Sequence, residues 1–427
     1  MTPPQGTVIR AICLLLFLFP LFPRDFAFGE VAVTPRISVG LIYDDNIYLD
    51  PTDEEYDVST NVSPGIDLEV TGQTAEFALS YNPTYSAYTR FPENTYWGHN
   101  ANLTGWTEVA GGTRLEISDS FLYTEDPISE EDTTVRRGRE PYWNNTAEVG
   151  VVNRFGAENT AELRYAYFVN ENDDPTVEDK SYHNPKALLT YWFAPNQYAV
   201  ELEGNYTVSE FDVSEDYEEM AARFRLTKRF GRLFDAYLEY THDYTDYLEE
   251  GDDYQVYSPL AGFVWQERQN TRFAVSFGYF YQDNETGEDD DGIVGSLETS
   301  YTWAEGSTVA VIADAGYDKA SFGSENLGFN PYFSLAGTVT HPLGRRVVGN
   351  LFGGYRRNLY TDEDPDREDT VWRAGCGLAY QALPWMTLRL DYLYQNTDSN
   401  IDTEDYTDNR GILTVVLAPR QPVKLVK

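Results

Sequence analysis

Thr241-His242-Asp243 is the one place in this sequence where an imidazole has a carboxylate as its chain neighbour. A general base held by an acid has that pairing, and a hydrolytic site could use it. Neither a Gly-x-Ser-x-Gly elbow nor a His-Glu-x-x-His zinc pair accompanies it. His99, His183 and His242 fall near the ends of predicted strands on one rim, and His341 falls at the opposite end. A rim histidine beside an aspartate reads as a solvated pair, and no enzymatic activity is expected.

Hard oxygen ligands of the kind calcium accepts occur in Asp283-Asn284-Glu285-Thr286-Gly287-Glu288-Asp289-Asp290-Asp291-Gly292 and in Asp362-Glu363-Asp364-Pro365-Asp366. Neither run keeps the EF-hand spacing with its closing Glu. They read as solvated acidic surface that shares divalent cations with anionic lipid or polysaccharide, and no cofactor or dedicated metal is expected. Cys376 is the only thiol left once the N-terminal leader carrying Cys13 is removed, so an intramolecular disulfide and a zinc cluster are both excluded.

A third set of charges sits singly between apolar neighbours: Glu162, Arg164, Glu201, Glu203, Arg223, Arg225, Glu239, Arg272, Arg373, Arg389 and Asp391. Such spacing is that of a strand with one apolar and one polar face. In Thr271–Gln282 the residues Phe273, Val275, Phe277, Tyr279 and Tyr281 share a face, against Arg272, Ala274, Ser276, Gly278 and Gln282. Thr160–Asn170 and Met386–Gln395 repeat the scheme, with Cys376 on the apolar face beside Trp372, Ala374, Leu378 and Tyr380. No amphipathic helix follows the leader, so the mature chain is all-β.

The connections alternate in kind. Short turns such as Gly111-Gly112, Phe155-Gly156-Ala157, Phe230-Gly231-Arg232 and Glu305-Gly306-Ser307 carry the residues that tight hairpins need. Between them lie ten longer connections holding most of the 70 acidic residues. In an up-and-down antiparallel sheet every second connection emerges at the same end, so the acid collects on one rim. Short turns on one side, long loops on the other and aromatic-rich apolar alternation define a transmembrane β-barrel of the bacterial outer membrane. Nine short turns join eighteen strands, and Arg36–Tyr43 and Gly411–Leu417 add one at each end. About 20 strands are therefore expected (18 to 22), with short periplasmic turns and long acidic extracellular loops. A propeller has a similar repeat length but needs four short strands per blade, and its Gly-His and Trp-Asp signatures are missing.

Composition agrees. The net charge of -39 over 427 residues excludes a nucleic-acid partner, and the 33 Tyr, 23 Phe and 8 Trp exclude an acidic disordered chain. Residues 1–29, with Arg10 before the apolar run Ala11–Phe22 and Ala27-Phe28-Gly29 at the end, read as a secretory signal peptide. A lead at 30–35, a barrel at 36–418 and a tail at 419–427 complete the division.

Gly40-Leu41-Ile42-Tyr43-Asp44-Asp45-Asn46-Ile47-Tyr48 resembles the entry motif of the putative β-barrel porin 2 family, and Leu115-Glu116-Ile117-Ser118-Asp119-Ser120-Phe121 is similar to a second recurrent segment of it. The resemblance implies an outer-membrane barrel without established enzymatic activity, often associated with exopolysaccharide synthesis and export. The chain departs from common barrels in continuing past Leu417 to Lys427 with no closing aromatic residue. Two functions stand. One is a porin or channel for small polar solutes or saccharides, lined by the eleven charges above. The other is a non-conducting structural or adhesive barrel whose loops organise surface polysaccharide or divalent cations. The partners expected in either case are outer-membrane lipid and lipopolysaccharide.

Overall fold

The computed structural model describes residues 29–426 except 128–137, 176, 195–196, 249–250, 252, 268–269, 323–324 and 362–365. The expected signal peptide, Gly29 apart, and most of the Asp362–Asp366 run lie outside the described residues.

Alternating sequence produces strands almost throughout: β1 (Glu30–Asp44), β2 (Asp57–Thr71), β3 (Ala75–Tyr88), β4 (Tyr96–Ala110), β5 (Thr113–Thr124), β6 (Tyr142–Phe155) and β7 (Asn159–Asn172). Then follow β8 (Lys180–Phe193), β9 (Tyr198–Phe211), β10 (Tyr217–Arg229), β11 (Phe234–Tyr247), β12 (Tyr254–Glu267), β13 (Thr271–Asn284) and β14 (Asp291–Ala304). The last are β15 (Ser307–Phe322), β16 (Glu325–Pro342), β17 (Val347–Tyr360), β18 (Arg367–Leu383), β19 (Met386–Ser399), β20 (Tyr406–Leu417) and a short β21 (Val423–Val426). Each strand from β1 to β19 pairs antiparallel with the next, and β1 also pairs with β20 from Ile37↔Leu417 to Asp44↔Arg410. That last pairing closes a barrel of 20 strands. Closure satisfies every edge, which a membrane interior demands.

Two ends of the chain extend this plan. β1 begins at Glu30 and so takes in residues 30–35. Pro419 and Pro422 lack the N–H that a ladder needs, and the chain past Leu417 leaves the β20 pairing. Beyond them Val423–Val426 covers the lower edge of β1 at Val31–Val33, and Lys424 reaches Glu30 at 2.7 Å.

The turns follow local chemistry. Gly111 and Gly112 both take positive φ, 56° and 85°, the requirement of a two-residue hairpin of the I′ kind. At the other rim most strands run beyond the roughly 9 to 11 residues needed to cross a bilayer. Much of the sequence expected in long loops is therefore strand: β15 runs to Phe322 and β16 begins at Glu325.

The faces divide as the alternation predicts. In β13 Phe277, Tyr279 and Tyr281 are exposed while Ser276, Phe280 and Gln282 are buried. Cys376 lies exposed on the face it shares with Trp372, Leu378 and Tyr380. Aromatic rings pair along the outer wall, as Tyr85 with Trp97 and Tyr355 with Trp372. Lipid covers that wall.

Candidate functional site: a lumen narrowed from within

The polar faces of the strands turn into the barrel, where a charge can keep water or find a partner. Arg164 on β7 reaches Glu148 and Glu116 at 2.8 Å each and Glu162 at 3.2 Å. Arg223 on β10 binds Glu201 at 2.6 Å and Glu239 at 3.1 Å, and also Glu203. Arg225 shares Glu239, and Lys186 shares Glu203. These side chains remain partly exposed, so the ladders are hydrated.

The other expected wall charges are more scattered. Arg272 stands 3.5 Å from Glu298, both half-exposed. Arg373 lies opposite Gln395, and Arg389 opposite Ala379. Asp391 lies over Gly377, where the missing side chain leaves room for it and for Asn350. The alternation leads one to expect all eleven on the inner face, but it does not supply the partners Glu116, Glu148, Lys186 and Glu298. Glu148, Lys186 and Glu298 sit on the strand next to their partner's and Glu116 two strands from Arg164, and pairing between them depends on register.

Strand alternation separates the one histidine–carboxylate pair. His242 points outward and packs its ring 4.8 Å from Tyr257, whereas Asp243 points inward and accepts the hydroxyl proton of Tyr317. The arrangement that a hydrolytic pair would require is therefore absent at this position. His99 and His183 also face outward, hydrogen bonded to Tyr81 at 2.9 Å and Tyr165 at 2.6 Å. His341 meets Ser307 at 2.8 Å at the short-turn end. The run 283–292 is held by tyrosines of the outer wall, Tyr281 donating to Asp289 at 2.6 Å.

What sequence reading missed is a hairpin folded inward. β14 stops pairing with β15 at Gly295↔Ala315, and β17 starts pairing with β16 only at Tyr332↔Asn358. Between those points the ladder of residues 316–331 is that of their own β15–β16 hairpin, with one backbone bond leaving it, from the Thr361 N–H to the Phe329 carbonyl at 3.4 Å. Its Tyr317 and Phe329 pack on Tyr254, Val256 and Phe280, the inner faces of β12 and β13. Phe329 and Asn330 are fully buried. Asp318 takes Arg356 at 2.6 Å, fixing the hairpin to β17. The signal was present in Phe280, an aromatic residue on the polar side of an otherwise alternating strand.

A second closure lies near the seam. Asp44, Asp45 and Asp408 bring carboxylate oxygens within 4.8 Å of one another, a donor set a metal could use. Arg410 lies among them instead, 3.1 Å from Asp44 and 2.9 Å from Asp408. Its other end meets Asp126 at 3.1 Å, in the connection after β5. β20 and β5 are separated around the wall by β1 to β4, so this ion pair crosses part of the lumen. The connection between β1 and β2 folds in beside it, with Ile47 and Leu49 buried and Arg139 hydrogen bonded to the carbonyl of Ile47 at 3.2 Å.

A closed barrel with an apolar wall and a hydrated, charge-laddered, internally narrowed lumen is a porin-type protein of the bacterial outer membrane. Residues 275–418 match the family described as Putative beta-barrel porin 2. Among solved structures, the FrpB iron transporter from Neisseria meningitidis is similar at a TM-score of 0.54 and 9% identity, over 92% of this chain and 83% of that one. A mutant of the ferric enterobactin receptor PfeA from Pseudomonas aeruginosa is similar at 0.51 and 9%, over 91% and 80%. OccK2 from Pseudomonas aeruginosa is matched at 0.44 and 10%, over 90% and 98%. At such identities the likeness is one of fold. No curated protein matches the sequence.

Proposed function

We propose that the protein is a diffusion channel for small polar solutes, saccharides among them. One observation supports this reading: partly exposed arginine and glutamate side chains form ion-pair ladders on the polar faces of the strands, and the inward hairpin packs beside a polar pocket. A lumen meant to be sealed would bury apolar side chains across its whole section, because unpaired charge inside a closed core is costly. The eleven wall charges set the field along the path. Passage of single sugars or short fragments suits the narrowing, and a link to exopolysaccharide export follows from the family resemblance.

The Arg410–Asp126 pair across the lumen favours the second reading, a non-conducting barrel whose rim organises polysaccharide or cations. Recording from purified, folded protein in planar bilayers separates the two. Discrete conductance steps are expected, with sugar entry into proteoliposomes falling as sugar size rises. Folded protein that never conducts would refute the channel.

A further inference from the structure

We propose that the outer face of β5 and β6 is where a second copy of this barrel docks in the membrane, as a two-fold dimer. A carboxyl on the lipid side of the wall carries the proposal.

Asp119 lies opposite Leu103 on β4 and Ala147 on β6. Leu115, Val149 and Val151 are exposed on that same face, while Ser120 on the other face donates to Asn102 at 3.1 Å inside the lumen. Asp119 therefore faces outward. Roughly 9 to 11 residues cross a bilayer, and β5 runs only from Thr113 to Thr124, so this carboxyl stands near the middle of the crossing. No other outward-facing carboxylate stands at that depth among the described strands; Glu171, Glu210, Asp246 and Asp291 all lie at the long-loop ends. Elsewhere on the wall the matching positions hold residues such as Phe277, Leu335 and Leu390.

Ionisable groups at membrane depth almost always face protein or water, because hydrocarbon offers them no hydrogen bond. Within the chain the need is answered only in part. Asn145 gives one N–H to the Asp119 Oδ1 at 3.2 Å and the other to the Ser120 carbonyl at 3.0 Å, and no described residue bonds to the second carboxyl oxygen. Lipid chains carry no donor. With a two-fold axis along the membrane normal between β5 and β6, β5 of each copy faces β6 of the other, so each carboxyl meets the other copy's amide. The pair is thus self-complementary, as a contact between identical faces requires. Ala101, Gly105 and Ala147 beside it are small and let two walls come close, as small residues do between membrane helices. A head-to-tail ring would set Asp119 against another part of the wall, and no outward Lys or Arg stands at this depth there among the described strands.

The test crosslinks the full-length protein in lipid vesicles through Ala147→Cys, with Cys376→Ala removing the other thiol of the mature chain and Leu390→Cys on the far wall as the control. A short thiol-to-thiol reagent is expected to give a dimer from Ala147→Cys and none from Leu390→Cys. Sedimentation in detergent micelles should show Asp119→Leu dissociating at a concentration on the order of tenfold above the parent, the scale of one or two hydrogen bonds inside a membrane. Asp119→Asn, which keeps a polar group there, should stay near the parent. Equal crosslinking at the two positions, a monomeric parent, or Asp119→Leu associating as tightly as the parent would overturn the proposal. The crosslink leaves Asp119 intact, so it decides even where a variant at that position fails to fold. Conduction plays no part in these measurements, and their outcome is separate from the channel reading.

Discussion

Phe329→Ala should release the inward hairpin without opening the barrel wall. Phe329 is fully buried, and its ring lies 5.7 Å from Tyr254, 5.8 Å from Phe280 and 5.3 Å from Tyr317. Truncating a buried phenylalanine costs about 3 to 5 kcal/mol, each lost aromatic pair accounting for roughly 0.5 to 1.5 of it. Polar contacts also hold the hairpin to the wall: Tyr317 with Asp243 and Ser258, Asp318 with Arg356, Asn330 with Asn358 and the Leu359 N–H, and the Phe329 carbonyl with the Thr361 N–H. These polar contacts contribute about 1 kcal/mol each. Losing the apolar part shifts the docked population by on the order of a hundredfold or more, at about 1.4 kcal/mol per factor of ten. The main barrel ladders are untouched, so unheated protein should keep its altered gel migration. Single-channel recording should show larger or noisier conductance than the parent. A folded variant with parental conductance and parental noise would refute the claim that this hairpin narrows the path.

Three further outcomes follow from the wall and rim. Arg410→Ala leaves Asp44 and Asp408 buried without their shared cation at the seam between β1 and β20. Breaking a buried pair costs about 3 to 5 kcal/mol, and the urea midpoint in lipid vesicles should fall; an unchanged midpoint would show that the seam does not depend on it. Leu390→Arg, on the exposed outer face of β19, should impair insertion by about 2 to 4 kcal/mol, as a basic side chain does near the midplane. Ser300→Arg faces the lumen opposite Arg272 and should insert normally, and equal defects in the two would count against the assignment of faces. At the rim, burial pushes the Glu125 carboxyl up to about 7 from its ordinary 4.5, with Arg139 opposing and Glu140 adding to the rise. The folded connection therefore holds the proton more tightly than the unfolded one, and its stability is full below about pH 4.5 and lost as pH rises through about 7. Hydrogen-exchange protection around residues 125–127, taken relative to the intrinsic base-catalysed rate at each pH, should fall over that interval and stay constant in Glu125→Gln; constant protection in the parent would show that Glu125 is not buried as described.

The wall was legible in the sequence because a period of two, repeated twenty times, constrains both face and closure. Even Val256–Trp265, where Ser258-Pro259-Leu260-Ala261-Gly262 breaks the alternation, lies within β12. The narrowing was not legible for the complementary reason. Alternation tells which side of a strand a residue occupies only while that strand stays in the sheet, and above Ala315 the β15–β16 hairpin leaves its neighbours. Tyr317 and Phe329 then take positions set by long-range packing on β12 and β13, which no local period encodes. The same limit explains the histidines. Adjacency in sequence brought His242 and Asp243 together on paper, yet adjacency along a strand is what places two side chains on opposite faces. Residues two apart share a face, so the chemistry of a barrel lies in alternating positions and in register partners such as Asp44 and Arg410, which stand 366 residues apart in the chain. Charged residues set between apolar neighbours can be picked out of the sequence one by one, but their ladders exist only once twenty strands have closed.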